Sequence, residues 1–450
     1  MADRRFQPRK WPHFLAATVA FAICAQAHAE SAAPPPPAAA RISAYLNMPP
    51  TLAGPLPPTL SKVGAFESLS PLRAISGLVP YDLNQSFWSD GANKSRWIGV
   101  PAGKHIEFAP SGEWRFPPGT VFVKHFEMPI RPNDPHSPRV RLETRVLVCD
   151  AQGGVYGASY RWRADGSDAD LVREPVTAPI DGGDSHKAQN WYFPGLEDCR
   201  VCHTQAAGGV LGVKTRQLNR PLAVGGESQL TAWRRMGLFG EDAPPIAPEK
   251  LATLCRRDDR SRSIEDRARS YLDANCSNCH RPGGVAGNFD ARYDTPLAKQ
   301  NLIDSLPLID LGIDRARIIS PHDVWRSLAL VRVETSDRTR MPPLAHEQID
   351  KEGAQILRQW IASLPGPQVL EPPAIAPKGG EFKETMRVVL SQPEKGAEIH
   401  YTLDGSLPGK SSPVYREPIE IKEPTTLRAR VFKDGMMRSI VVQETYIVND

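Results

Sequence analysis

Between residues 120 and 162 apolar and polar side chains alternate with the two-residue period of half-buried strands. Thr120-Val121-Phe122-Val123-Lys124-His125-Phe126 and Val140-Arg141-Leu142-Glu143-Thr144-Arg145-Val146-Leu147-Val148 carry the pattern, and β-branched residues enrich both. Asp150 to Gly154 reads as a hairpin connection into Val155–Trp162. The period changes after residue 259. Ser263 with Asp266 predicts a capped helix start, and Ile264, Ala268, Tyr271 and Leu272 form its apolar face. Ile349, Ile356, Leu357, Trp360, Ile361 and Leu364 recur at helical spacing and stop before Pro365. Ser228 to Leu238 predicts a shorter helix ended by Gly237 or Gly240. At the tail the period returns to two: Ile399, Tyr401 and Leu403 alternate, as do Leu427, Ala429 and Val431, with Asp404-Gly405 and Asp434-Gly435 at turns.

Composition sharpens these boundaries. The chain has 450 residues, 44 of them proline, and a hydrophobic content of 40% that suits folded domains. Pro34–Pro37 and the alanines after them predict a tether over 30–60, and Pro365 to Gly380 predicts a second joint, bounded as 367–380. Arg4, Arg5, Arg9 and Lys10, an apolar stretch from Phe14 to Ala25 and Ala27-His28-Ala29 fit a secretory signal peptide cleaved after Ala29. Cleavage removes four positive charges and Asp3, so the formal charge of +4 becomes +1. That balance gives no reason to expect nucleic acid as a partner.

Cysteine and histidine carry the chemistry. Cys199-Arg200-Val201-Cys202-His203 and Cys276-Ser277-Asn278-Cys279-His280 are both C-x-x-C-H, the attachment signature of haem c. On a helical turn the two thiols share a face and reach two vinyl groups of one porphyrin, while the next histidine presents a nitrogen to the iron. A zinc knuckle would need further Cys or His close by, and a redox C-x-x-C would not need His twice. Two haem groups with iron ligands His203 and His280 are therefore expected. Met341, in Arg340-Met341-Pro342-Pro343, is the expected sixth ligand of the second iron, because a thioether is a soft ligand in a proline-stiffened loop. For the first iron three options stand: Met236, His186, or an open position. Cys149 and Cys255 are left over, as a disulfide or as two buried thiols.

Residues 78–84 and Phe87-Trp88-Ser89-Asp90-Gly91-Ala92, then Phe116–Thr120, Leu142-Glu143-Thr144-Arg145 and Leu218-Asn219-Arg220, resemble a bacterial family of exported dihaem c-type cytochromes when taken with both haem motifs. The likeness spans roughly residues 60–365. The tail, through Ile399–Pro408, Ser412–Tyr415 and Leu427–Phe432, resembles the C-terminal β-sandwich of chitobiases and β-hexosaminidases. The expected architecture is multidomain: an all-β sandwich-like domain (61–190), two α-helical c-type cytochrome domains (191–258 and 259–366) and an Ig-like C-terminal β-sandwich (381–450). Expected partners are a periplasmic dehydrogenase as electron donor and a cytochrome or oxidase as acceptor. The alternatives are a haem enzyme with an open site at His203, and a polysaccharide-associated binding protein using Trp88, Asp90 and the tail.

Overall fold

The computed structural model describes residues 41–131, 134, 136–180, 189–222, 226–286, 288–344 and 347–448. The expected signal peptide, most of the tether's start and His186 lie outside the described residues.

A hairpin of β1 (Phe66–Leu69) and β2 (Leu72–Ala74) precedes a six-stranded antiparallel meander. Its strands are β3 (Val79–Pro80), β4 (Asn93–Gly99), β5 (Val121–Pro129), β6 (Arg139–Cys149), β7 (Val155–Trp162) and β8 (Ala169–Val172), in sequence order across the sheet. β9 (Val176–Ile180) pairs with β10 (Gln189–Phe193) beside it. Alternation along β5 sends Val121 and Val123 to one face and Phe122, Lys124 and Phe126 to the other.

The expected second sheet of a sandwich is absent among the described residues. One face is covered by residues 42–63, where Ile42, Met48, Leu56, Leu60 and Val63 are buried against Val123, Val146 and Tyr160. The part of the predicted tether from residue 41 onward is thus part of the core. The other face is covered by residues 210–239, through Val210, Val213, Leu218, Trp233 and Phe239 against Ile98 and Phe122.

The two expected α-helical cytochrome domains are also corrected. Among the described residues of 191–258 the α-helices are α1 (Asp198–Cys202), α2 (Thr215–Leu218) and α3 (Gln229–Arg235), none longer than 7 residues. They form an irregular layer on the sheet and no separate helical domain. Residues 259–366 hold α4 (Ile264–Asn275), α5 (Leu328–Val333) and α6 (Lys351–Ser363), with a long irregular stretch between α4 and α5. Pro282, Gly283, Gly284, Pro296, Pro307, Gly312 and Pro321 punctuate that stretch, so no helical register can run through it. The helix pair itself forms as its periodicity predicts. Ser263 Oγ accepts the Asp266 N–H at 3.0 Å and Asp350 Oδ1 accepts the Gly353 N–H at 3.0 Å, capping α4 and α6. Tyr271 and Leu272 then bury against Ile356, Leu357 and Trp360.

The tail is a β-sandwich. One sheet is β11 (Ala374–Ala376), β13 (Met386–Ser391) and β15 (Ile419–Ile421), and the other orders β12 (Gly380–Phe382), β17 (Val442–Val448), β16 (Thr425–Phe432) and β14 (Glu398–Thr402). Leu370 and Ile375, from the predicted joint, are buried in its core. Arg430, Arg438 and Arg326 converge on Asp314, tying the sandwich to residues 259–366.

Candidate haem-attachment sites

Each C-x-x-C-H motif adopts the turn that its spacing predicts. In the first, α1 carries Cys199 and Cys202, and the His203 N–H donates to the Cys199 carbonyl at 3.0 Å. In the second, the Cys279 and His280 N–H groups both reach the Cys276 carbonyl, at 3.1 and 2.9 Å. Both thiols and the imidazole therefore leave one side of a single turn in each motif.

Burial favours the neutral form of both histidines. His203 Nδ1 lies 2.7 Å from the Gly209 carbonyl, an acceptor only, so Nδ1 carries the proton and Nε2 keeps its lone pair. Gly208 and Gly209, at φ of 77° and 73°, make the left-handed turn that delivers this carbonyl. Burial brings the His203 pKa down to about 4, against the opposing pull of Gly209. Burial likewise brings His280 to about 4, opposed by the Ala286 backbone, and its ring stacks on Phe289 with centroids 4.0 Å apart.

The two motifs meet. The Cys202 and Cys279 thiols are near enough to act on each other electrostatically, although Cys199 and Cys276 are 77 positions apart in sequence (276 − 199). The Cys202 thiol is pushed well up and the Cys279 thiol is held below its ordinary value, each chiefly by the other. Burial pushes Cys276 up to about 12 and also raises Cys199. Arg281, next to His280, donates to the Ala206 carbonyl at 3.0 Å and to Glu113 at 2.9 Å. Lys214 lies 2.8 Å from Asp273 of α4 and 3.8 Å from Glu113. These bonds clamp both motifs to each other and to the β-layer.

Each motif rests on backbone that leaves no room for a side chain. A Cβ at Gly157 of β7 would stand 2.5 Å from Cys199 Sγ, and one at Gly284 would stand 2.3 Å from the Cys279 carbonyl. Among the described residues no three Cys, His, Asp or Glu side chains converge as a metal ion bound by protein alone requires. Each turn carries two thiols and one imidazole, the residue types by which haem c is attached and ligated.

Residues 377–443 match the model of the chitobiase/beta-hexosaminidase C-terminal domain family. This agrees with the expectation for the tail, and its two-sheet fold is the one described above. Searches of curated proteins and of solved structures return no match to the chain.

The remaining predicted residues divide clearly. The Met341 N–H donates to the Arg332 carbonyl at 2.9 Å, and the Arg332 charge acts on His280, so Met341 sits on the segment flanking the second motif. Its side chain is half-buried and outside the hydrophobic core around α4 and α6. Met236 is buried in the core with Trp233, Leu238 and Phe239, where core packing is the alternative to ligating an iron. Cys149 and Cys255 are free thiols in different surroundings, one at the end of β6 and the other against Ser270 at 3.3 Å.

Trp88 and Asp90 serve structure. The Trp88 N–H donates to Asn275 at 2.8 Å, its indole N–H donates to the Gln348 carbonyl at 2.8 Å, and Asp90 accepts the Gln348 N–H at 2.8 Å. The loop therefore clips α4 and the start of α6 to the β-layer. Sequence reasoning missed Lys214, Asp273, Arg281, Glu113 and Arg145. Only the Leu142–Arg145 segment gave a hint, and the Arg145 charge does reach Cys199 and Cys202.

Proposed function

We propose that the chain is an exported dihaem c-type cytochrome that transfers electrons in the periplasm. The observation that carries this reading is the approach of the two motifs, bridged by Arg281 on the Ala206 carbonyl at 3.0 Å, supported by two half-buried histidines on matching turns whose neutral form burial favours. Cys199, Cys202 and His203 would hold one haem, Cys276, Cys279 and His280 the other, with Met341 as sixth ligand of the second. When bound, each haem supplies one-electron redox chemistry. The chain's own residues attach the groups, keep the ligating nitrogens neutral and hold the two sites within one clamped unit. Donor and acceptor are proposed as a periplasmic dehydrogenase and a cytochrome or oxidase, in weak, short-lived encounters. The C-terminal sandwich acts as a spacer or docking module, and carbohydrate contact through it is the minor role.

A second reading, a haem enzyme with an open position at His203, is favoured by one observation: Met236 is committed to the core. Optical and EPR spectra of the purified protein separate the two. Two low-spin, six-coordinate irons support electron transfer. A large high-spin population that binds cyanide supports the enzyme.

A further inference from the structure

On the sheet face that receives the first motif, a row of like charges crosses three strands. Arg96 of β4 faces Lys124 of β5, and Lys124 faces Arg145 of β6. Residues paired this way have Cα atoms about 5 Å apart, and like charges placed opposite each other destabilise a sheet. A fourth cation, Lys94, acts on Lys124 from the next position of β4, and its ammonium donates to the Phe87 carbonyl at 2.7 Å.

The anions nearby do not balance the row. Asp82 pairs with Arg96 at 3.1 Å and is shared with Arg220 at 2.6 Å. Glu143 is taken by Arg145 at 2.5 Å and by the Trp191 indole at 3.1 Å. Lys124 has no carboxylate in ion-pair range among the described residues. Its ammonium instead lies over the Phe87 and Phe126 rings, at 5.2 and 5.1 Å from the centroids. Apolar clusters flank the row on the same face, one around Phe122 and Val210 and the other around Phe126 and Trp191. The charges of Lys124 and Arg145 both act on His203. A row of cations between two apolar walls, beside a haem-attachment turn, lacks one anion.

We propose that Lys124, held between Arg96 and Arg145, is a carboxylate-binding site at the first motif. This rests on the dihaem reading for its main occupant, a propionate of the haem attached at Cys199 and Cys202. The other source of the same chemistry is a free small-molecule carboxylate. Burial and the neighbouring Arg96, Lys94 and Arg145 push the Lys124 pKa well below its ordinary value, and in either case a bound carboxylate would oppose that push with an ion pair in a half-buried place.

The test is redox potentiometry on the full chain carrying both haems, comparing wild type with Lys124→Gln and Lys124→Arg. Removing a positive charge beside a haem favours its oxidised form. Lys124→Gln is therefore expected to lower the potential of one haem and leave the other, while Lys124→Arg stays with wild type. If wild type also responds to added acetate or citrate and Lys124→Gln does not, the site stands and its occupant is the free carboxylate. Unchanged potentials in Lys124→Gln without any anion response, or equal shifts in both variants, overturn the proposal. If the purified chain holds no haem, the dihaem reading fails separately. Calorimetric titration of citrate then decides: binding that Lys124→Gln loses supports the site, and no binding refutes it.

Discussion

Lys214→Met tests the clamp between the two motifs. Lys214 is almost wholly buried, 2.8 Å from Asp273, and Asp273 itself is 1% exposed in its side chain. Burial alone would lower the Lys214 pKa, but the Asp273 and Glu113 carboxylates outweigh it and hold the pKa above its ordinary value. Two unit charges at this distance attract by about 6 kcal/mol at an effective dielectric of about 20, and desolvation of both groups offsets much of that. Removing one partner strands the other, so Lys214→Met is expected to cost about 3–5 kcal/mol. The assay is equilibrium urea unfolding of wild type, Lys214→Met, Asp273→Asn and the double variant. The double variant should recover at least half of the loss, because neither charge is then left alone. A loss below about 1 kcal/mol in Lys214→Met, or strict additivity in the cycle, would refute the reasoning.

Three further predictions follow from single contacts. Burial raises Asp90 to about 6, so the folded state keeps a proton that the unfolded chain loses near pH 4. That contribution to stability is complete below pH 4 and fades as pH rises to about 6, a change of about 3 kcal/mol; Asp90→Asn should abolish it, and a wild-type-minus-variant difference that stays flat from pH 4 to 6 would contradict this. Gly157→Ala forces a Cβ onto Cys199 Sγ, so mass spectrometry should find one haem per chain in place of two, with the second motif still occupied. Met341→Ala should remove a sulfur-to-iron charge-transfer band from one haem only, and identical spectra would disprove the ligand assignment.

Strands β5, β6, β7, β14 and β16 were legible because apolar residues alternate along them, and α4 and α6 because capping and apolar spacing agree. The irregular layers were not legible, because buried amides hold them and periodic apolar faces do not. Asn219 Nδ2 donates to the Pro248 and Leu251 carbonyls, each at 2.9 Å, and the Gln217 side chain accepts the Gln85 N–H and donates to the Gln85 carbonyl, both at 2.9 Å. Such contacts leave no pattern in hydropathy, so residues 191–258 read as a domain when they are one cover of the sheet. The motifs themselves were plain in the sequence. Their meeting at Cys202 and Cys279 was not, since it depends on Lys214, Asp273 and Arg281 acting across long separations.

The central claim is that both motifs carry covalent haem in one protein. The pyridine haemochrome assay, set against protein concentration and intact mass, measures this directly. The account predicts two haems per chain, both retained after denaturation and acid–acetone extraction. A chain produced with an active haem-attachment system that carries none, or whose haem extracts into acetone, would contradict it.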